Sequence, residues 1–303
     1  MLRSALLKLS ENKRIGTWVT SNSTTRRMAR RFVAGETLQE AIDATRRCND
    51  AGMAASLDYL GENVASTSDA QRSRDEYLEI FETIAQERLL ANVSCKLTQL
   101  GLDINNEFCA GLVLSIVERA GSFDNFLRVD MESSAYTQRT IDLVKRVRSR
   151  HPAIGTVIQS YLYRSEKDVA ELLACGCRIR LCKGAYKEPE DVAFPRKADV
   201  DANYVRLMQI LLSSGFYHAI ATHDPKMLGA TIRHAAEKGI PKDDFEFQML
   251  YGVRTDLQRR LVKDGYRVRI YIPFGNDWFP YFMRRLAERP ANVGFILRNL
   301  FRS

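Results

Sequence analysis

"HAIATHDPKMLGATIRHAAEKG", residues 218–239, holds one complete structural unit. A short apolar run at 218–223 leads into Asp224-Pro225, a helix cap with proline at the first helical position. Residues 226–238 then carry apolar side chains at helical spacing, and Gly239 closes the segment. The chain repeats this event along its length.

Further runs at 53–59, 92–98, 126–131, 154–161, 178–183, 245–250 and 268–272 read as strands. Segments such as 68–90, 135–150 and 202–214 read as helices; Ser165 caps another, and Gly176, Gly215 and Gly265 close others. Eight strand–helix units in order, without a Pro/Gly/Ser-rich linker, predict an α/β fold, a distorted (β/α)8 barrel of the TIM type. Residues 1–50 read as a basic, helical lead-in and 51–303 as the barrel catalytic domain, with the last helix over the barrel mouth. A doubly wound open sheet is the alternative, yet no G-x-G-x-x-G and no P-loop follows any strand.

The net charge of +8 is concentrated: residues 1–31 carry +7, and the remainder is close to neutral. A nucleic-acid binder wants a basic stripe on its folded body, so nucleic acid is not expected as a partner. The basic N-terminus resembles either a transit peptide or an amphipathic segment that touches anionic lipid. No apolar stretch approaches the ~18 residues of a membrane span. The six cysteines form no paired CxxC motifs and only four histidines accompany them, so reduced thiols and no metal are expected.

In such a barrel the chemistry collects at the carboxyl ends of the strands. Those ends here read Asp58-Tyr59, Lys96, Asp130-Met131-Glu132, Gln159, Arg180 leading into "CKGAY", "ATHD", Gln248 and Tyr271. So many polar groups at one mouth predict a functional site rather than a core. Lys96 is either half of a buried ion pair with Asp130 or a Schiff-base lysine, and a lyase or aldolase using Lys96 or Lys183 is the rival reading of the mouth. Arg180 and Lys183 make the mouth cationic, which suits a phosphorylated cofactor or the electron-rich edge of a flavin. "KGAY" is a small-residue turn that lets a ligand approach the backbone. His223-Asp224 is either a general base or a turn and cap.

After the last strand comes "WFPYFMRRLAER", residues 278–289. Tyr281, Arg284, Arg285 and Glu288 share one helical face, opposite Phe279, Phe282, Met283 and Leu286. Alone, that face would be solvated, with an Arg284–Glu288 pair. Lying across the mouth, it becomes a paired-guanidinium clamp for a small carboxylate, with the glutamate holding one arginine.

"VSCKLTQLGLD", "VDMESS", "QSYLYR", "RLCKGAYKEPEDVAFPRKADVDANY", "ATHD", "FEFQMLYG", "YIPFGNDW" and "YFMRRLAERPAN" resemble, in this order, the signature segments of the proline dehydrogenase family. The likeness is strongest to the short, single-function bacterial form and runs from about residue 15 to the end. It implies FAD-dependent oxidation of L-proline to Δ1-pyrroline-5-carboxylate, with a membrane quinone as acceptor and a separate pyrroline-5-carboxylate dehydrogenase as pathway partner. It implies a cytoplasmic protein, peripheral at the inner face of the cell membrane.

By the same resemblance, Arg284 and Arg285 grip the proline carboxylate, Glu288 pairs with them, and Lys96 supports the carboxylate, braced by Asp130. Tyr271, Tyr281 and Leu250 wall the pyrrolidine ring, with Tyr186 beside it. Gln159 and Arg180 face the isoalloxazine; Met131, Lys183, Gly184, Ala185, Thr222 and His223 belong to the FAD-contacting segments. Asp130, Arg180 and Tyr271 are the expected catalytic set. Tyr271 favours proline over hydroxyproline, while Cys95, Cys182 and Lys187 depart from the family pattern.

Overall fold

The structure, a computed structural model, describes residues 23–288. The basic stretch that opens the lead-in falls largely outside them, as do the side chains of Leu286 and Glu288.

Helices α1 (Ser23–Ala29) and α2 (Leu38–Asp50) precede β1 (Ala54–Tyr59). Then come α3 (Thr67–Gln86), β2 (Ala91–Cys95), α4 (Asn106–Ser122), β3 (Leu127–Val129), α5 (Ser134–Arg148), β4 (Ile154–Gln159) and α6 (Ser165–Ala174). β5 (Arg178–Cys182), α7 (Lys197–Leu212), β6 (His218–Ala221), α8 (Pro225–Glu237), β7 (Phe245–Leu250), α9 (Thr255–Lys263), β8 (Arg267–Phe274) and α10 (Trp278–Glu288) complete the series. The strands pair in order, all parallel, and β8 returns to β1 to close the barrel.

β2 and β4 are buried at every position, as parallel strands with a helical coat must be. The expected caps form where the sequence supplies an oxygen. Asp224 accepts the Lys226 amide at 3.0 Å, and Thr37 with Glu40 makes a reciprocal box on α2. Ser165 differs: it lies inside α6, and its hydroxyl donates to the carbonyls of Gln159 and Leu162 at 2.6 and 2.7 Å.

Five expected strands stop early: β2 at Cys95, β3 at Val129, β4 at Gln159, β5 at Cys182 and β6 at Ala221, so Lys96, Asp130, Lys183 and Thr222 stand just past the ladder. The physical reason is local: past β2 the chain turns into a 3-10 turn at Thr98–Leu100, closed by Gly101 at φ 80°. Asp58, Gln159, Arg180, Gln248 and Tyr271, by contrast, lie within the paired strands.

Two packing events place the last helix. α2 joins the barrel core through Ala41, Ile42, Ala44 and Cys48. A second core then gathers Ala29, Phe32 and Val33 against Trp278, Phe279, Phe282 and Met283. The Phe32 and Phe282 rings stand 6.3 Å apart, and the Trp278 indole donates to Glu36 at 3.0 Å. The apolar stripe of α10 is therefore held down by the N-terminal segment, with its other face over the barrel.

Candidate active site

A cavity of about 430 Å³ opens at the carboxyl ends of the strands. Lys96, Asp130, Met131, Gln159, Arg180, Lys183, Gly184 and Ala185 line it from β2 to the loop after β5. Tyr186, Thr222, His223, Leu250, Tyr271, Tyr281, Arg284 and Arg285 complete the sequence-predicted wall. The Glu288 side chain lies outside the described residues.

The ion pairs differ from those read in the sequence. Lys96 does not pair with Asp130. Its Nζ donates to both Asp58 carboxylate oxygens, at 3.0 and 3.3 Å, with both side chains buried. Register explains the choice: Asp58 sits opposite Ser94 on β2, so Lys96, two residues on, falls beside the end of β1. Burial works against the Lys96 ammonium, but Asp58, Glu62 and Asp130 outweigh it and hold its pKa above the ordinary lysine value. Such an amine stays protonated and is not a Schiff-base nucleophile. Lys183 is tied between Asp201 and Asp224 at 2.5 and 2.7 Å, linking β5 to α7 and the start of α8.

Asp130 instead reaches across the barrel. Its Oδ1 accepts from Arg180 at 2.6 Å, and its Oδ2 accepts the Tyr271 hydroxyl at 2.6 Å. Burial and the Asp130 charge push the Tyr271 phenol well up, so it remains a donor. The Arg180 guanidinium also lies over the Tyr271 ring, 5.2 Å from its centroid.

On α10, Arg284 NH2 donates to Glu62 at 2.8 Å, and Arg285 stacks over Tyr281 at 5.1 Å. Burial opposes the Arg284 charge, and Glu62 with Tyr186 restores it and more. The carboxylate on Arg284 among the described residues thus comes from the loop after β1.

His223 Nε2 accepts the Leu250 amide at 2.9 Å, and Asp224 caps α8 while pairing with Lys183. These commitments are those of a turn and cap, not of a general base. In "KGAY", Gly184 has φ +110° and a Cβ there would fall 2.3 Å from the Tyr161 ring, so glycine is required on both counts. Lys187 is exposed, off the cavity wall. Cys95 is fully buried, and burial pushes the wall-lining Cys182 thiol up to about 12, which makes it a small hydrophobe at neutral pH.

Glu62, Ser56 and Ser94 went unread in the sequence. The signal for the serines was present, since each stands two residues before a mouth residue, Asp58 or Lys96, in the same inward phase. Glu62 follows Asp58 by four residues in a loop at the correct end of the barrel.

Two buried polar atoms on the cavity wall, Gln159 Oε1 and Arg180 Nε, have no partner among the described residues. One accepts and one donates, which fits the edge of a planar heteroaromatic ligand such as a flavin. No group of His, Cys, Asp and Glu that would hold a metal occurs among the described residues.

Fold and mouth together define a (β/α)8-barrel enzyme with a cationic cavity at the carboxyl ends of its strands. The family described as proline dehydrogenase matches residues 41–298, and the chain belongs to that family. Proline dehydrogenase 1 of Bacillus subtilis (strain 168) is 41% identical over 302 residues, 100% of both chains. Proline dehydrogenase of Deinococcus radiodurans is 41% identical over 283 residues, 91% of this chain and 90% of that one. The crystal structure of proline utilization A from Bdellovibrio bacteriovorus inactivated by N-propargylglycine superposes with a TM-score of 0.82 at 27% identity. It covers 86% of this chain, which spans 32% of that longer one.

Proposed function

We propose that the protein oxidises L-proline to Δ1-pyrroline-5-carboxylate with FAD held at the barrel mouth. The observation that carries this reading is one cavity with Arg284, Arg285 and Lys96 on its wall together with the unpartnered Gln159 Oε1 and Arg180 Nε. Guanidinium and ammonium groups are the strong partners of a carboxylate. The unpartnered atoms supply the polar edge that a flavin ring needs.

In this reading Arg284 and Arg285 bind the substrate carboxylate and Lys96 adds charge beside it. Tyr271, Tyr281 and Leu250 enclose the pyrrolidine ring and exclude water, with Tyr186 at its side. Fixing the carboxylate at one end leaves the ring a narrow range of orientations, the entropic part of catalysis. FAD, when bound, supplies the two-electron, hydride-accepting chemistry. Gln159 and Arg180 orient it, with Met131, Lys183, Gly184, Ala185, Thr222 and His223 as further contacts.

The carbon beside the ring nitrogen would give up a hydride, taken by the flavin when bound, and the amine nitrogen a proton, taken by water, leaving a C=N bond. Cations at the carboxylate lower the pKa of the substrate ammonium and so favour the amine that can react. Asp130 fixes Arg180 and Tyr271, both against the reacting region. A lysine-based lyase finds no support, because Lys96 and Lys183 are both held in ion pairs.

Electrons pass on to a membrane quinone, and a separate dehydrogenase consumes the product. Among the described residues no helix is long and apolar enough to cross a membrane. The +7 charge of residues 1–31 supports peripheral contact with anionic lipid from the cytoplasmic side.

The test is the visible spectrum of the purified protein under nitrogen, before and after L-proline. Bound flavin that bleaches is the expected result. Flavin that stays oxidised would move the substrate elsewhere, and protein that takes up no FAD would overturn the cofactor.

A further inference from the structure

Ser56 on β1 and Ser94 on β2 are completely buried, point into the barrel and lie 3.1 Å apart, hydroxyl to hydroxyl. A buried hydroxyl with no task is costly, and alanine would pack a strand interior as well. Their task is visible in Arg180, which comes from β5, a strand that pairs with neither β1 nor β2.

Arg180 crosses the barrel, and its guanidinium is held along two edges. NH1 donates to Asp130 Oδ1 at 2.6 Å. NH2 donates to Ser94 Oγ at 3.0 Å and to Ser56 Oγ at 3.3 Å. The Tyr271 ring covers one face. A guanidinium has a fixed, planar set of donors, so holding NH1 and NH2 fixes where the third edge points. That edge is Nε–H, the buried donor left without a partner among the described residues, on a side chain that lines the cavity.

We propose that Ser56 and Ser94 are a positioning pair that sets the plane of Arg180 and thereby aims its remaining N–H and its charge at the FAD ring. The proposal rests on the flavin reading given above. Asp130 alone anchors one corner and leaves the guanidinium free to swing about that bond. The serine pair removes that freedom without adding a charge, so only Asp130 offsets the positive field of Arg180 at the ligand. A second carboxylate in their place would neutralise it. Preorganised donors of this kind act where negative charge gathers on reduction, not in substrate binding.

The experiment uses the FAD-loaded full chain as wild type, Ser94→Ala, Ser56→Ala and Ser94→Thr. The readouts are the reduction potential of the bound flavin, and the anaerobic rate of flavin bleaching across proline concentrations. Ser94→Ala is expected to lower the potential by about 30 mV, a tenfold change for a two-electron couple. It slows bleaching at saturating proline about tenfold, with half-saturation by proline and thermal midpoint unchanged. Ser56→Ala does the same more weakly, as its longer contact requires, and Ser94→Thr, which keeps the oxygen, stays near wild type. A potential equal to wild type in both alanine variants overturns the proposal. Equal losses in Ser94→Ala and Ser94→Thr also overturn it, since packing would then be responsible. Wild-type flavin that ignores proline would count against the function instead, and the potentials would still decide the role of the serines.

Discussion

Glu62 and Arg284, 222 residues apart in sequence, meet at 2.8 Å and join the loop after β1 to the helix that covers the barrel mouth. The two side chains are about equally exposed, at 27% and 21%, so solvent screens the pair only in part. The contact fixes Arg284 on the cavity wall, where the proposed function has a substrate carboxylate meet it. It also gives that carboxylate a neighbour of like charge, so the arginine must serve two anions.

Replacing Glu62 with Gln keeps the shape and removes the charge. Loss of the hold on Arg284 is expected to cost about 1 kcal/mol, or a roughly fivefold rise in KM for proline, with kcat changed less. Steady-state kinetics with an artificial electron acceptor checks this. An unchanged KM would mean that the pair is a bystander.

Arg284→Met and Arg285→Met each remove charge-assisted hydrogen bonds of about 1.5–3 kcal/mol. KM should rise between about tenfold and a hundredfold in either variant, while FAD content stays at the wild-type level. Titration of the flavin spectrum with a non-oxidisable carboxylate analogue of proline separates binding from turnover. Wild-type affinity in both variants would remove the clamp.

Much of this was legible in the sequence. Strand, cap, helix and glycine stop recur because each is set by neighbours a few residues away, and barrel topology then follows from order alone. Lys96, Gln159, Arg180 and Tyr271 could be placed at the mouth for the same reason, since a strand end is a local property. Their partners could not. Position at a strand end offers Asp130 as the partner of Lys96, yet register puts Asp58 there, and Asp130 reaches across to Arg180 and Tyr271. Helical spacing offers Glu288, whose side chain lies outside the described residues, and gives no sign of Glu62, which reaches Arg284 through space. Which groups meet across a barrel depends on shear and tilt, and a single chain does not display them.

Acid sensitivity should centre on His218. Its Nδ1 accepts the Ile179 amide at 3.0 Å and its Nε2 meets Ser214 Oγ at 3.0 Å, and burial with the nearby Arg128 lowers its pKa to about 3. The unfolded chain, with a histidine pKa near 6.5, binds a proton that the fold refuses. Stability from this group is therefore complete above about pH 6.5 and is lost as pH falls toward 3, at up to about 1.4 kcal/mol per pH unit. In His218→Asn, which keeps an acceptor for Ile179, thermal midpoints should fall less steeply over that range. Parallel curves for the two proteins would exclude His218 as the cause.

The buried pair of Lys96 and Asp58 gives the prediction with the clearest sign. Lys96→Met leaves the Asp58 carboxylate buried without its cation, a loss of about 3–5 kcal/mol. Asp58→Asn in the same chain removes that stranded charge and should return most of the stability, but not the activity, because the cation beside the substrate carboxylate is still missing. The pH dependence follows from the raised pKa of Lys96. A lysine whose folded pKa lies above its unfolded value of about 10.4 contributes its full stabilisation below that pH, and loses it only as pH climbs beyond. The stability gap between wild type and Lys96→Met should accordingly be flat from about pH 6 to 9 and narrow only above about 10.4. Denaturant melts of both proteins across that range give the gap directly. A gap that closes near neutral pH would mean that the amine is neutral in the fold, and the lysine-nucleophile chemistry set aside above would have to be taken up again.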